Sequence, residues 1–209
     1  MHRIVLCFLL VSLAMFSQAQ KMTVAQMKVE LEKSPNPVGY TREVLKKKYK
    51  IDTVAIMNTS HFQGLADSLA YHGKIKKVYG PYEKKYLVQV LGKAPNSFNR
   101  ISQIFIDTTI FSYRVADSLA NSIVSRIQSG SANFADLAQT YSMGGEAISK
   151  GDVGWIARGA LMPEIENKLA GKKVGEVFKV WSRMGVHIVK KTAAAKEDTG
   201  FVLLMRVFL

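Results

Sequence analysis

The spacing of hydrophobic residues predicts a chain that mixes helices and strands. Near the start, apolar residues recur at helical intervals over 23–33 and again over 60–71. The proline-rich stretch 34–37 ends the first of these helices, because proline lacks the amide donor that a helix needs. A short basic helix is expected over 41–49. Each amphipathic helix must bury its apolar face, so we expect a sheet or other helices beside them.

Paired short strands are predicted at two places in the chain. Residues 73–91 and 171–189 each contain two short apolar strands joined by a brief basic turn. The first pair has no histidine in its second strand, and we interpret it as scaffold. The apolar stretch 201–209 is a further strand outside these pairs. Because an exposed strand this apolar would aggregate, we predict that it pairs back with the 73–91 strands.

Between the strand pairs, the pattern indicates a strand at 101–107, a long amphipathic helix at 113–128 and a short helix at 133–141. A helix beginning at Pro163 and ending near Gly171 follows. Helices interspersed with strands in this order predict an α+β fold, with an antiparallel sheet covered by helices.

The stretch 150–191 contains several short motifs in a fixed order. Glycines on both sides of Asp152 indicate a tight turn, since glycine adopts backbone angles that other residues avoid. The motifs are Gly151-Asp152-Val153-Gly154-Trp155, Arg158-Gly159 followed by Pro163-Glu164, Val174-Gly175-Glu176-Val177, and Gly185-Val186-His187-Ile188.

This series resembles the parvulin (rotamase) family of peptidyl-prolyl cis-trans isomerases, in particular its SurA/PpiD-like periplasmic members. The upstream stretch 134–142 also resembles that family, so that the resemblance covers about residues 100–192. It implies a parvulin-like α+β module that acts on proline-containing unfolded or exported polypeptides without a cofactor. The helical N-terminal region, the preceding strand pair and the extra C-terminal strand lie outside that module.

The resemblance also implies a set of catalytic residues. His187 falls on the second histidine of the family, and Ser182 falls on its hydroxyl position. Gln103 stands where the family has its first histidine, and Gly144 stands where it has a Cys or Asp. Glutamine forms hydrogen bonds but cannot carry charge, and glycine supplies no side chain. The predicted catalytic set is therefore incomplete.

Substrate-binding residues are implied in the same way. Leu161 and Ile165 fall on the apolar pair that receives the proline ring, and we add Met184 and Trp155 to this set. Other interpretations remain open for some of these positions. His187 between apolar neighbours is also typical of a core histidine, Trp155 is also typical of a core residue, and Asp152 is typical of a turn as well as of an acid.

The first residues predict export. Residues 1–19 combine a short basic start, an apolar core and small residues before Gln20, the pattern of a cleavable signal peptide. The single cysteine, Cys7, lies within this segment. We therefore expect a periplasmic protein without a membrane-spanning segment after cleavage.

The charge of the chain adds little to the predictions of fold and function. The formal net charge is +13, spread mostly as lysine pairs and triplets. This pattern favours attraction to acidic partners or envelope surfaces, and a nucleic-acid partner is not expected. The histidines show no metal-ligand spacing, so neither a metal nor another cofactor is expected.

The sequence thus predicts a signal peptide (1–19), an N-terminal helical region with a strand pair (20–99), a parvulin-like domain (100–192), and a C-terminal linker and strand (193–209). Two functions remain open. One is a periplasmic prolyl isomerase and folding factor for exported proteins, with catalysis weakened at Gln103 and Gly144. The alternative is a non-catalytic chaperone, or an accessory subunit of an envelope secretion or outer-membrane assembly.

Overall fold

A computed structural model gives the structure of residues 22–209. The predicted signal peptide lies outside the described residues. None of the described helices combines the length and the apolar character needed to cross a membrane. The elements are α1 (Val24–Lys33), α2 (Pro37–Glu43), β1 (Tyr49–Ala55), α3 (Leu65–His72), β2 (Val78–Tyr82), β3 (Tyr86–Asp107), α4 (Tyr113–Gln128), α5 (Phe134–Tyr141), a short 3₁₀ helix (Gly145–Ala147), β4 (Asp152–Ala157), α6 (Pro163–Ala170), β5 (Val177–Ser182) and β6 (Gly185–Phe208).

The strands form a single antiparallel sheet in the order β1-β6-β3-β2, with β4 added to β3 and β5 added to β6. Its frame is the pair β3 and β6, which are 22 and 24 residues long. They pair from Tyr86 opposite Phe208 at one end to Asp107 opposite Gly185 at the other. The predicted α+β class is confirmed.

The C-terminal strand pairs back as predicted. It forms the last part of β6, where Leu87 of β3 lies opposite Val207. Its other edge pairs with β1, so this apolar stretch is a central strand with partners on both sides. Met205 and Val207 are fully buried, in one cluster with Met27 and Leu31 of α1.

The predicted boundary between residues 99 and 100 and the predicted linker after residue 192 both lie within strands. β3 continues through Gly92 and Pro95, and register shifts at those points absorb the residues that break a regular ladder. No loop therefore separates the strand pair from the rest of the sheet in the described chain. The division into 20–99, 100–192 and 193–209 stays a prediction.

Helix α1 begins and ends where the sequence predicts. Thr23 caps it by accepting a hydrogen bond from the backbone amide of Gln26, whose side chain binds the amide of Thr23 in return. The basic helix predicted for 41–49 is wrong. The helix instead starts at Pro37, because Asn36 caps it there, and the chain has already entered β1 at Tyr49.

The helix predicted over 60–71 is shorter than expected. Asn58 accepts hydrogen bonds from the backbone amides of Ser60 and His61, which folds this stretch into a turn. Helix α3 starts only after Gly64 and ends at the predicted Gly73. Its buried Ala70 packs over the sheet.

Helices cover both faces of the sheet around β5 and the N-terminal part of β6. On one face, α4 and α5 bury Ile123 and Leu137 against the even-numbered residues Ile104 and Ile188. On the other face, α6 buries Ile165 in a cluster with the odd-numbered Val189 and Ile101 of the strands. Because strand side chains alternate between faces, the odd-numbered His187 shares the α6 face.

Candidate active site

The hairpin formed by β5 and β6 brings Ser182 close to His187. β5 ends at Ser182 and β6 begins at Gly185, with Val180 opposite His187 in the ladder. Gly185 has a φ of +153° and lies so close to the carbonyl of Ile106 that a Cβ atom would overlap it. The tight return of the chain therefore depends on glycine at this position.

Ser182 and His187 are joined by a hydrogen bond. The Ser182 hydroxyl lies 2.9 Å from Nε2 of His187. It also accepts a hydrogen bond of 3.1 Å from the backbone amide of Met184 in the turn. The hydroxyl is thus held between the strand and the turn at the end of the hairpin, in a fixed orientation.

The His187 imidazole is covered by an aromatic ring. Phe105 of β3 lies opposite His187 in the ladder, and the two rings stack with centroids 4.7 Å apart and an interplanar angle of 26°. His187 is only 3 % exposed, and its Nδ1 has no hydrogen-bond partner among the described residues. Ser182 is therefore the side chain that orients the ring.

Burial lowers the pKa of His187 from its ordinary value, because the charged imidazolium would lose its solvation. The carboxylates of Glu146 and, to a smaller extent, Glu164 act in the opposite direction and raise it. Burial has the larger effect, so the imidazole is neutral at pH 7. A neutral ring accepts or donates one hydrogen bond at Nε2, according to its tautomer.

A loop beside β3 carries a second polar group of the site. The amide of Met143 donates to the carbonyl of Phe105 (2.8 Å), and the amide of Gln103 donates to the carbonyl of Gly151 (2.8 Å). The Ser142 hydroxyl accepts from the amide of Phe105 at 2.9 Å. These contacts fix the loop between residues 142 and 151 against the strand that covers His187.

Glu146 occupies the centre of this loop. Its Oε1 accepts hydrogen bonds from the Ser142 hydroxyl (2.8 Å) and from Nε2 of Gln103 (3.3 Å). Its carboxylate fills the space next to Gly144 where a side chain would lie, since a Cβ atom there would stand 2.6 Å from Oε1. The carboxylate of Glu146 therefore occupies the space that a side chain at position 144 would fill.

Comparison with known proteins assigns this part of the chain to a family. Residues 112–193 match a family described as "Rotamase: PPIC-type PPIASE domain". The chain contains a parvulin-type rotamase domain. The predicted resemblance to the parvulin (rotamase) family is confirmed for residues 112–193.

Relatives of the parvulin domain include chaperones of the SurA type. Chaperone SurA of Chromohalobacter salexigens is 35% identical over 103 residues, 48% of this chain and 23% of that protein. Chaperone SurA of Saccharophagus degradans is 41% identical over 69 residues, 32% of this chain and 16% of that protein. The chain thus spans less than a quarter of the length of these relatives.

Among solved structures, the crystal structure of a PpiC-type peptidyl-prolyl cis-trans isomerase domain is 26% identical in sequence to this chain. The match has a TM-score of 0.45 and covers 50% of this chain and 94% of that one.

The structure brings most of the predicted site residues of the parvulin domain to one region. Leu161 and Ile165 join the apolar cluster on the α6 face, which also contains Val180, the cross-strand neighbour of His187. Ile165 is 2 % exposed, whereas Leu161 is only partly buried. Met184 is exposed in the hairpin turn, next to the Ser182 hydroxyl.

Gln103 lies on the same strand as Phe105 but does not take the place of a second imidazole beside His187. Its amide nitrogen instead donates to Glu146, as described above. The two predicted gaps in the catalytic set, at Gln103 and at Gly144, both lie beside Glu146, which accepts a hydrogen bond from Gln103 and fills the space next to Gly144.

Trp155 does not join the site of the parvulin domain. It packs instead against a separate cluster that contains Ile56 and Phe98, and Nζ of Lys196 lies 4.7 Å from the centroid of its ring. The alternative interpretation of Trp155 as a core residue agrees with this placement. Ala157 of β4 lies in the same cluster as Trp155, whereas Ile156 between them packs with Ile165 on the other face of the sheet.

Phe105 and Glu146 contact the candidate site residues His187 and Gln103, and the sequence motifs predict neither of them. Phe105 has a detectable signal, because it is two residues after Gln103 and so lies on the same face of its strand. Glu146 has a weaker signal, its position two residues after Gly144. Among residues 22–209, no group of three or more His, Cys, Asp or Glu side chains is arranged to hold a metal ion.

Proposed function

We propose that this chain is a parvulin-type prolyl isomerase that acts on unfolded or newly exported polypeptides in the periplasm. The observation that carries the proposal is the Ser182–His187 pair, set at the end of a hairpin in a rotamase domain and beside an apolar cluster. A catalyst of X–Pro isomerisation breaks no covalent bond. It needs an apolar surface that binds the proline ring and an oriented polar group, such as a hydroxyl, that binds the amide.

The chemistry follows from the peptide bond. The barrier to rotation, about 18–20 kcal/mol, comes from the partial double-bond character of the amide. A catalyst lowers it by binding the twisted amide more strongly than the planar amide. The Ser182 hydroxyl, held by the imidazole and by the turn, is a preorganised hydrogen-bonding group that need not reorient during the reaction. Leu161 and the exposed Met184 supply apolar surface for the proline ring.

Periplasmic location is part of the proposal. It is supported by the signal-peptide pattern of residues 1–19 and by the similarity to chaperones of the SurA type. Expression of the full chain in a Gram-negative host, followed by osmotic release and N-terminal sequencing, tests it. We expect a mature protein that begins at Gln20 in the periplasmic fraction. A product that keeps its first residues and stays in the cytoplasm would exclude export.

The activity is tested with a proline-containing tetrapeptide in exchange spectroscopy by NMR. Uncatalysed X–Pro isomerisation takes tens to hundreds of seconds, so catalysis appears as exchange cross-peaks that the free peptide lacks. We expect these cross-peaks with the wild-type protein and their loss with Ser182→Ala. Peptide without cross-peaks at stoichiometric protein concentration would overturn the isomerase assignment.

A second function, client binding without turnover, is favoured by one observation. The imidazole of His187 is covered by Phe105 and is 3 % exposed, so it does not itself face a bound peptide. The same NMR experiment distinguishes the two functions. Shifts of the peptide resonances without exchange cross-peaks would indicate a non-catalytic chaperone or an accessory subunit of an envelope assembly.

A further inference from the structure

The loop between β3 and β4 contains a carboxylate at a position that the family pattern leaves empty. Gly144 stands at the Cys or Asp position of the parvulin pattern, and Glu146 fills the space beside it. We propose that Glu146 supplies the acidic group of the site in place of the missing side chain at Gly144. This inference rests on the isomerase function proposed above and names a residue that the family pattern does not contain.

The first support is steric. The atoms nearest to a Cβ built on Gly144 all belong to the Glu146 side chain, with Cδ and Oε1 both at 2.6 Å. The φ of Gly144 is −90°, which any amino acid adopts. Glycine is therefore not required here by the backbone. The carboxylate of Glu146, the end of a flexible side chain, occupies the space that a side chain at position 144 would enter, so the two would compete for it.

The second support is that the Glu146 carboxylate is held in place. Ser142 and Gln103 both donate to its Oε1, and its backbone carbonyl accepts from the amide of Gly151 at 2.7 Å. Both the side chain and the backbone of Glu146 are thus held, the side chain by Ser142 and Gln103 and the backbone by Gly151. Both side-chain donors are neutral groups, a hydroxyl and an amide.

The third support is electrostatic. Glu146 is the larger of the two carboxylate influences on His187, and it raises the pKa of that imidazole against the effect of burial. Its charge therefore reaches the Ser182–His187 pair. A fixed negative charge on the carbonyl-oxygen side of a bound X–Pro amide disfavours the planar amide, whose resonance places negative charge on oxygen, more than the twisted amide. Such a charge lowers the barrier to rotation.

The test moves the carboxylate from position 146 to position 144. Glu146→Ala removes it, and Gly144→Asp in the Glu146→Ala background restores a carboxylate from the position that other parvulins use. We expect kcat/KM for a tetrapeptide to fall about tenfold in Glu146→Ala and to return to within about twofold of wild type in the double variant. Gly144→Asp alone places two carboxylates in one space, and we expect it to be as impaired as Glu146→Ala.

Glu146→Gln separates charge from structure. It keeps an oxygen that accepts from Ser142 and Gln103, so the loop remains in place while the charge is lost. We expect the same loss of kcat/KM as in Glu146→Ala. Glu197→Gln, an exposed carboxylate on β6, is the matched control and should change kcat/KM by less than about twofold. Full activity in Glu146→Gln would overturn the inference.

A second readout does not depend on turnover. The pKa of His187, followed by NMR through its ring carbons, should fall in Glu146→Gln and return in the double variant that carries Asp at position 144. The two proposals fail in different ways. A wild-type protein without catalysis overturns the isomerase function, whereas an active wild type with unchanged Glu146 variants overturns only this inference.

Discussion

Nε2 of His187 lies 2.9 Å from the hydroxyl of Ser182, across the end of the β5–β6 hairpin. The other ring nitrogen is buried and has no partner within residues 22–209. The pair therefore serves two purposes at once. It satisfies the imidazole inside the sheet, and it fixes the direction of the hydroxyl that we assign to the site.

Ser182→Ala leaves the buried imidazole without a partner on either nitrogen. We expect the free energy of unfolding to fall by about 1–3 kcal/mol, the usual cost of an unsatisfied buried polar group. The urea midpoint at constant m-value measures this change. Ser125→Ala, at an exposed position of α4, is the control and should have a midpoint close to that of wild type. Equal midpoints for both variants would show that the hydrogen bond does not stabilise the fold.

The pH dependence of stability should contain a contribution from His187. Burial holds its pKa in the native state below the ordinary value of 6.5. Between these two pKa values the unfolded chain binds a proton that the native chain does not. The free energy of unfolding therefore falls as the pH is lowered through 6.5, and levels off below the native pKa.

Urea titrations between about pH 8 and pH 5 measure this effect, whose slope for one proton is at most about 1.4 kcal/mol per pH unit. His187→Gln removes the titrating group, so its stability should decline less steeply over the same interval. Parallel curves for wild type and His187→Gln would contradict the prediction.

Met205 and Leu203 offer a matched pair on one face of β6. Met205 is fully buried under α1, whereas Leu203 is 39 % exposed. We expect Met205→Ala to lower the free energy of unfolding by about 2–5 kcal/mol, as for other large-to-small changes in a core. Leu203→Ala should cost much less, because it leaves no cavity. Similar losses for the two variants would show that the C-terminal part of β6 is not packed against α1.

Gly151 tests the anchoring of the loop that carries Glu146. It has a φ of +83°, and a Cβ atom there would lie 2.9 Å from the carbonyl oxygen of Gln103. We expect Gly151→Ala to lower the free energy of unfolding by about 1–3 kcal/mol, since both the backbone angle and the space favour glycine. It should also reduce isomerase activity through Glu146.

Gly171→Ala provides the comparison for this effect. Gly171 ends α6 with a φ of −87°, and nothing lies within 4 Å of an added Cβ atom. Its substitution should leave both stability and activity nearly unchanged. A thermal shift as large as that of Gly151→Ala would contradict the specific role of residue 151.

The parts of the fold that the sequence predicts well are those with local signals. Thr23, Asn133 and Pro163 mark helix starts that the structure confirms. β1 was missed because its partner, the end of β6, is distant in sequence. The sequence predicts two separate strands where the structure has the single strand β3, because Pro95 is typical of a strand end. In the structure a register shift next to Pro95 lets the strand continue.

In the candidate site, too, the sequence predicts the local arrangements but not those that depend on distant parts of the chain. The spacing between Ser182 and His187 is short and lies within one hairpin, so the sequence predicts their proximity. The role of Glu146 depends on a loop that folds back against β3, and on the space left open by Gly144. A comparison with the family motif, made one position at a time, reveals neither the fold of this loop nor the space beside Gly144.

The length of β3 and β6 determines how this protein can be cut for study. A fragment limited to 100–192 would begin inside β3 and finish inside β6, and it would lack Phe98 and Asn99, the partners of Ala157 and Ile156 in β4. The backbone groups of β4 that lose these partners could pair with another copy of the fragment. A fragment made for crystallisation or spectroscopy should therefore retain both strands whole, from Tyr86 to Phe208.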